Sequence, residues 1–393
     1  MKKLFGFFVM LLLVFCCLGC NSSYDNTKDN VDTIKLGSSG PLSGEASIYG
    51  ISVEKGIKLA IEEINKEGIK IGDKKYTFEL VEFYNDEADP DKASSNLTKL
   101  FDAGTDVVVG AVTSGATEGL IGQAIKVGIP VITPTGTADK LTVGESGQER
   151  DDRYNVFRAC FYDSYQGKYM AEYAVANGVK KAYVLYNNSS DYSVGLKDSF
   201  EQTAKAKSLE VTTAAYGEKD KNFSAFVAPI VSGNYDCVYI PDYYENVYNI
   251  LTTLYGAGYT GVCYGGDGWD GVIQQVKAGD DASFLEKCFY TNHYFGASES
   301  PAVKKFVDAY KAKYDGETPV SFAALAYDAV YIVKQAIEQA QSFKFDDVIE
   351  ALTEGSFTGL VTSAKQFKFD ENGNPQKDAV IITFKDGKEV EAK

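Results

Sequence analysis

One stretch constrains the fold of this chain more than any other: DVVVGAVTSGATEGLIGQAIKVGIPVITPTGTADKL, from Asp106 to Leu141. The run Val107-Val108-Val109 suits a strand buried on both faces, which in turn needs helices above and below it. Ser114-Gly115-Ala116-Thr117 then opens a helix, and Ile129-Pro130-Val131-Ile132 is a second strand ending in another small-residue turn, Thr133-Pro134-Thr135-Gly136-Thr137. A helix start rich in hydroxyls exposes unpaired backbone N–H groups that can hold an anion without a basic residue. Ser and Thr are also common N-caps of any helix, so taken alone the stretch permits both readings.

The strand–helix alternation extends in both directions. Val53, Ile57, Ala60, Ile61 and Ile64 share one face of a helix that stops at Gly68, and Phe78 to Phe83 alternates as a strand. Ala93 to Phe101 reads as a helix. A second series follows: helices over Gln166 to Ala176, Asp198 to Ala206 and Tyr248 to Tyr255, with strands at Ala182 to Tyr186, Asp236 to Ile240 and Val262 to Tyr264. The chain then turns helical over Pro301 to Lys313 and Phe322 to Gln341. It closes with an expected hairpin pairing Gln366 to Phe369 with Val380 to Phe384. The expected fold is α/β, two doubly wound lobes with ligands gathering at the carboxyl ends of their strands.

The N-terminus reads as an export signal. Lys2 and Lys3 precede an apolar run, Leu4 to Leu18, too short for a stable span and ending Cys17-Leu18-Gly19-Cys20. This resembles a bacterial lipoprotein signal with Cys20 as the acylated residue, although Cys17 stands where that motif usually has Leu. Residues 1–19 are then a signal peptide and 20–31 a polar tether; a plain cleavable signal is the alternative. Net charge is -16, and losing Lys2 and Lys3 makes it -18. So acidic a body argues against nucleic acid as partner, and any anion has to be caught locally.

Chemistry is sparsely supplied. Cys160, Cys237, Cys263 and Cys288 lack paired C-x-x-C spacing, which leaves no zinc site; buried strand cysteines are the simpler reading, with a disulfide still allowed. His293 is the single histidine and is read as structural. A His-based triad or transition-metal centre has little to work with, there is no G-x-S-x-G elbow, and neither enzyme activity nor cofactor nor metal is expected. What remains are polar and aromatic loop residues: Tyr49, Ser114 to Thr117, Thr133 to Thr137, and, from the second series, Tyr192, Tyr243 and Asp267. A zwitterion needs donors for its carboxylate and an acidic or aromatic partner for its ammonium, and these groups would supply both ends.

Four motifs carry a family resemblance. GPLSGEASIYG (Gly40 to Gly50), VGAVTSGAT (Val109 to Thr117), GIPVITPTGTADKLT (Gly128 to Thr142) and DSYQG (Asp163 to Gly167) resemble the leucine/isoleucine/valine-type periplasmic binding proteins of ABC importers, in family order over essentially the whole mature chain. The resemblance implies a type I periplasmic-binding-protein fold: two lobes, three crossings and a closing hinge. It divides the chain into 32–160 with 292–356 as lobe I and 161–291 with 357–393 as lobe II. It implies a lipid-anchored extracytoplasmic monomer that captures a free α-amino acid, branched-chain or otherwise apolar, and delivers it to the transmembrane subunits of an ABC permease. A ligand sensor of the same fold, or a binder of amides, urea-like molecules or aromatic acids, are the alternatives. By the same resemblance Ser114 binds the ligand carboxylate, Thr135 acts through its carbonyl and Thr137 through hydroxyl and N–H. Tyr243 and Asp267 meet the ammonium, Tyr49, Tyr192 and Phe322 line the side-chain pocket, and Asp163 lies near the cleft. Asp267 is shorter than the glutamate usual there. The family's first-lobe disulfide is absent, since Ala88 and Thr113 hold those positions, and Trp269 is expected beside the ammonium site.

Overall fold

A computed structural model describes residues 32–144, 150, 153–277, 279–363 and 365–392; the expected signal, Cys20 and tether lie outside them. The first series runs β1 (Thr33–Gly40), α1 (Ser47–Glu67), β2 (Ile69–Ile71), β3 (Lys74–Asn85), α2 (Pro90–Asp102), β4 (Val107–Val109), α3 (Ser114–Val127), β5 (Val131–Thr133), α4 (Lys140–Val143) and β6 (Val156–Arg158). The second runs α5 (Asp163–Ala176), β7 (Lys181–Asn187), α6 (Asp191–Ala206), β8 (Glu210–Tyr216), α7 (Ser224–Ser232), β9 (Cys237–Tyr239), α8 (Tyr244–Gly256), β10 (Val262–Gly265) and β11 (Cys288–Asn292). Then come α9 (Pro301–Lys313), α10 (Ser321–Ala340), α11 (Phe345–Glu354), β12 (Val380–Lys385) and β13 (Lys388–Glu391).

The strands form two sheets. One has six strands in the order β2-β3-β1-β4-β5-β6, the other seven in the order β13-β12-β11-β10-β9-β7-β8. From β3 to β6 and from β8 to β11 every pairing is parallel. In the first sheet the strand order reverses between β1 and β4; in the second it reverses between β7 and β9. Ligands of open α/β sheets collect outside the strand carboxyl ends at such reversals. Tyr49, Ser114, Tyr192 and Tyr243 lie at the starts of the helices that follow β1, β4, β7 and β9.

Helices form where their apolar faces find a partner. Val53, Ile57, Ala60 and Ile64 of α1 are buried, and α1 lies along α10, most of whose residues are buried too. Contact is close enough that a Cβ on Gly56 would stand 2.2 Å from the Ala323 carbonyl oxygen. The late helices therefore return to the first lobe. α2 begins in textual agreement with its sequence: Asp89 caps Lys92 N–H at 2.8 Å and Pro90 fills the first turn.

Two expectations change. The hairpin is not 366–369 with 380–384: β12 pairs with β13 across Asp386-Gly387, and with β11 on its other side. Both turn residues have positive φ (50° and 70°), which is what a two-residue hairpin turn requires and what Asp-Gly supplies. Second, the stretch from Phe357 to Pro375 packs on the first lobe rather than the second. Asp328 of α10 accepts from Val361 N–H and Thr362 N–H at 2.8 Å each, the Phe369 ring meets Phe157 at 5.0 Å, and Arg158 N–H donates to the Gly373 carbonyl at 3.2 Å. A buried carboxylate holds this stretch to α10, and the chain crosses only after Pro375. The lobes are thus joined after β6, after β11 and before β12.

Candidate functional site

The N-terminus of α3 decides between the two readings of the Ser114 turn. Thr113 occupies the N-cap position, yet its side chain makes no capping hydrogen bond, and its hydroxyl is buried without a partner. The Ser114 hydroxyl accepts from Ala138 N–H at 3.3 Å, and Thr117 Oγ1 donates back to the Thr113 carbonyl at 2.8 Å. A helix start without a side-chain cap, with a buried hydroxyl lacking a partner beside it, offers its backbone N–H groups to an anion.

Around it, Tyr49, Ser114, Thr135, Thr137, Tyr192, Tyr243, Asp267 and Phe322, with Val112, Thr113 and Gly268, line one tight cavity of about 10 Å³. Every residue expected to touch a ligand is among them. Thr135 Oγ1 donates to the Val112 carbonyl at 2.7 Å, so that hydroxyl is committed. Asp163 N–H donates to the Thr137 carbonyl at 2.9 Å, which fixes the loop that brings Thr137 to the cavity wall. Burial pushes the Asp163 carboxyl well above the usual range, and its Oδ2 has no partner.

Four aromatic rings wall the cavity. Tyr49 stacks on Phe322 at 4.2 Å and meets Tyr243 edge-on at 5.6 Å; Tyr243 stacks on Tyr192 at 4.9 Å. The Tyr49 hydroxyl accepts from Tyr244 N–H at 3.1 Å and donates to the Gly268 carbonyl, so it is tied to the second lobe and turns only its ring to the cavity.

Asp267 is 1% exposed. Its Oδ1 accepts from Tyr192 Oη at 2.9 Å and Gln166 Nε2 at 3.0 Å; its Oδ2 meets His293 Nε2 at 3.0 Å. Gln166 also receives Thr291 Oγ1 at 2.9 Å and Asp267 N–H at 3.1 Å on its carbonyl, which fixes the amide orientation. A carboxylate has about four acceptor positions, so three donors leave one on Oδ2. Burial holds His293 at about 4, below the usual imidazole value, against the opposing pull of Asp267. Its proton then sits on Nε2, facing the carboxylate.

His293 and Gln166 were not assigned to the site from sequence. Gln166 lies inside the DSYQG motif and carried that much signal; His293 carried none, because 26 residues separate it from Asp267. Trp269 moves the other way. It lies against Gly265, donates Nε1–H to the Ile240 carbonyl at 2.7 Å, and packs behind the cavity without lining it. The cysteines Cys160, Cys237, Cys263 and Cys288 are free and buried.

A family model described as periplasmic binding protein matches residues 33–389. The chain belongs to the periplasmic binding protein family. Its two lobes have the type I fold of that family. Among relatives, it is 30% identical to a Leu/Ile/Val-binding protein homolog of Brucella melitensis, over 91% of this chain and 93% of that protein. The leucine-binding protein LivK of Thermotoga maritima superposes with TM-score 0.82 and 29% identity, covering 92% of this chain and 98% of that one. LivJ of Streptococcus pneumoniae, a branched-chain amino acid transporter substrate-binding protein solved with isoleucine, gives TM-score 0.80 and 31% identity, covering 92% of this chain and 100% of that one. No helix among the described residues is long and apolar enough to cross a membrane.

Proposed function

We propose that this protein captures a free α-amino acid, branched-chain or otherwise apolar, by closing its two lobes, and hands it to an ABC permease from a lipid anchor at Cys20 on the extracytoplasmic face. The observation that supports it is the polarity of one cavity: an uncapped helix start at Ser114 and the Asp267 carboxyl both line it, together with aromatic rings. The helix start suits a carboxylate, Asp267 an ammonium, the rings an apolar side chain. The names of the relatives, which bind leucine, isoleucine and valine, point the same way.

An aromatic acid without an amino group is the weaker reading. It would leave Asp267 facing an apolar or anionic group, at the cost of an unpaired buried charge.

Isothermal titration against leucine, isoleucine, valine, alanine and benzoate tests this. At least one amino acid should saturate one site, and benzoate should not. Asp267→Asn keeps the volume but removes the charge, and should weaken binding by about 3 kcal/mol, on the order of a hundredfold. Amino-acid binding unchanged in Asp267→Asn would refute the ammonium assignment.

A further inference from the structure

His293 has a second face. Its ring stacks on Phe161 at 3.7 Å, and its Nδ1 is buried without a hydrogen-bond partner. The residue forms part of the floor of a groove on the hinge side, shared with Tyr165, Tyr294, Lys377 and Asp378, while its Nε2 holds a wall of the ligand cavity. One imidazole therefore separates the two spaces, with a carboxylate on one nitrogen and an empty acceptor on the other.

We infer that His293 is a positioning residue whose neutral, Nε2–H form is required for Asp267 to take an ammonium, so that a proton arriving at Nδ1 expels the ligand. This rests on the reading of the cavity as an amino-acid site. Imidazolium and ammonium would compete for one carboxylate in a water-poor site, where like charges repel strongly. The surrounding groups do not provide a substitute. Lys377, held to Thr362 Oγ1 at 2.8 Å and to the Ala159 carbonyl, remains cationic below about 8 and adds to the repulsion. Cys160 stays a thiol, burial pushing it up to about 12. Asp270 is reached only through Asn292, whose Nδ2 donates to it at 3.1 Å, and Tyr165 lies across the groove. Asp163 faces the cluster through Gln166 Nε2 at 3.0 Å, and burial raises its carboxyl above the usual range.

In the open protein His293 is hydrated and returns toward about 6.5, the ordinary imidazole value. Closing on a ligand then strips its proton. Affinity is full above about pH 7 and falls as the pH drops through that value, approaching tenfold per unit. The test is titration of the tightest amino acid with the purified protein between about pH 7.5 and pH 5, together with His293→Gln and His293→Leu. Gln can place an N–H near Nε2 and does not titrate. Parental affinity should fall at least tenfold across the range. His293→Gln should lose less than tenfold at the higher pH and then stay flat; His293→Leu should be weak throughout. A second measurement needs only the parent: near pH 6, titration in buffers of different ionisation enthalpy should show net proton release on binding. A slope that survives in His293→Gln assigns the titration to Asp163 and overturns the inference, as does zero proton release. Failure of the parent to bind any amino acid at the higher pH defeats the reading of the cavity itself, and this inference with it.

Discussion

Thr135 and Thr137 look alike in sequence but hold opposite commitments. The Thr135 hydroxyl serves its own lobe, on the Val112 carbonyl at 2.7 Å. Thr135→Val should therefore destabilise the fold by about 1–3 kcal/mol, the cost of an orphaned buried carbonyl, while changing amino-acid affinity less than about threefold. Thr137 is tied to α5 through its backbone, Asp163 N–H donating to its carbonyl at 2.9 Å, so its hydroxyl is not needed to hold the loop. Thr137→Val should cost less stability and instead weaken binding, because it removes a cavity-lining hydroxyl that can donate to a carboxylate. Urea denaturation beside calorimetric titration separates the two; equal affinity losses would sink the distinction. These positions were legible in the sequence because the small-residue turns sit at strand ends in a recognisable order. What the Thr135 hydroxyl bonds to was not legible, since the Val112 carbonyl is reached through space. His293 shows the limit most sharply: its partner Asp267 lies one loop and one strand away.

Among the elements, α1 and α10 carry both stability and site, since Tyr49 lies on one and Phe322 on the other. Gly56 allows their approach, with a would-be Cβ only 2.2 Å from the Ala323 carbonyl oxygen. Gly56→Ala should destabilise by about 1–3 kcal/mol in denaturant despite the higher helix propensity of Ala, because backbone has to yield. It should also weaken ligand binding by disturbing the Tyr49–Phe322 stack; a stabilised variant would contradict the packing argument. Elements with one buried face were readable, and so were the all-apolar strands β4 and β5. Those without such contrast were not. β8 exposes most of its length at a sheet edge, and α7 contains Pro229. α6 begins at Asp191, seven residues before the strand–helix pattern suggests, because Ser190 caps it through Ser193 N–H at 3.3 Å and Gly195 blurs its periodicity. The hairpin error has the same origin: Asn-Gly at Asn372 and Asp-Gly at Asp386 are equally good local turns, and only pairing with β11 selects between them.

At the scale of the molecule, closure is held by few direct bonds between the lobes. Tyr49 Oη makes two of them, with Tyr244 N–H and the Gly268 carbonyl, and Ser321 N–H donating to Asp270 Oδ2 at 2.6 Å is another. Lys221 with Glu45 at 2.6 Å and Lys140 with Asp191 at 3.2 Å lie at exposed rims, where ion pairs contribute little. A buried hydrogen bond contributes about 1 kcal/mol net, so the two made by the Tyr49 hydroxyl form a polar latch that a single conservative substitution removes. Tyr49→Phe keeps the ring stacked on Phe322 and removes only the latch. The closed fraction of the free protein should fall by a factor of about 5 to 30, corresponding to 1–2 kcal/mol. Apparent affinity should fall by a similar factor, since a ligand must supply the closing energy that the hydroxyl no longer contributes. Small-angle scattering would read the first effect as a larger radius of gyration without ligand that contracts at saturation; titration would read the second. An unchanged radius with unchanged affinity would place the latch elsewhere, on the buried Asp270 carboxyl that Ser321 N–H meets at 2.6 Å.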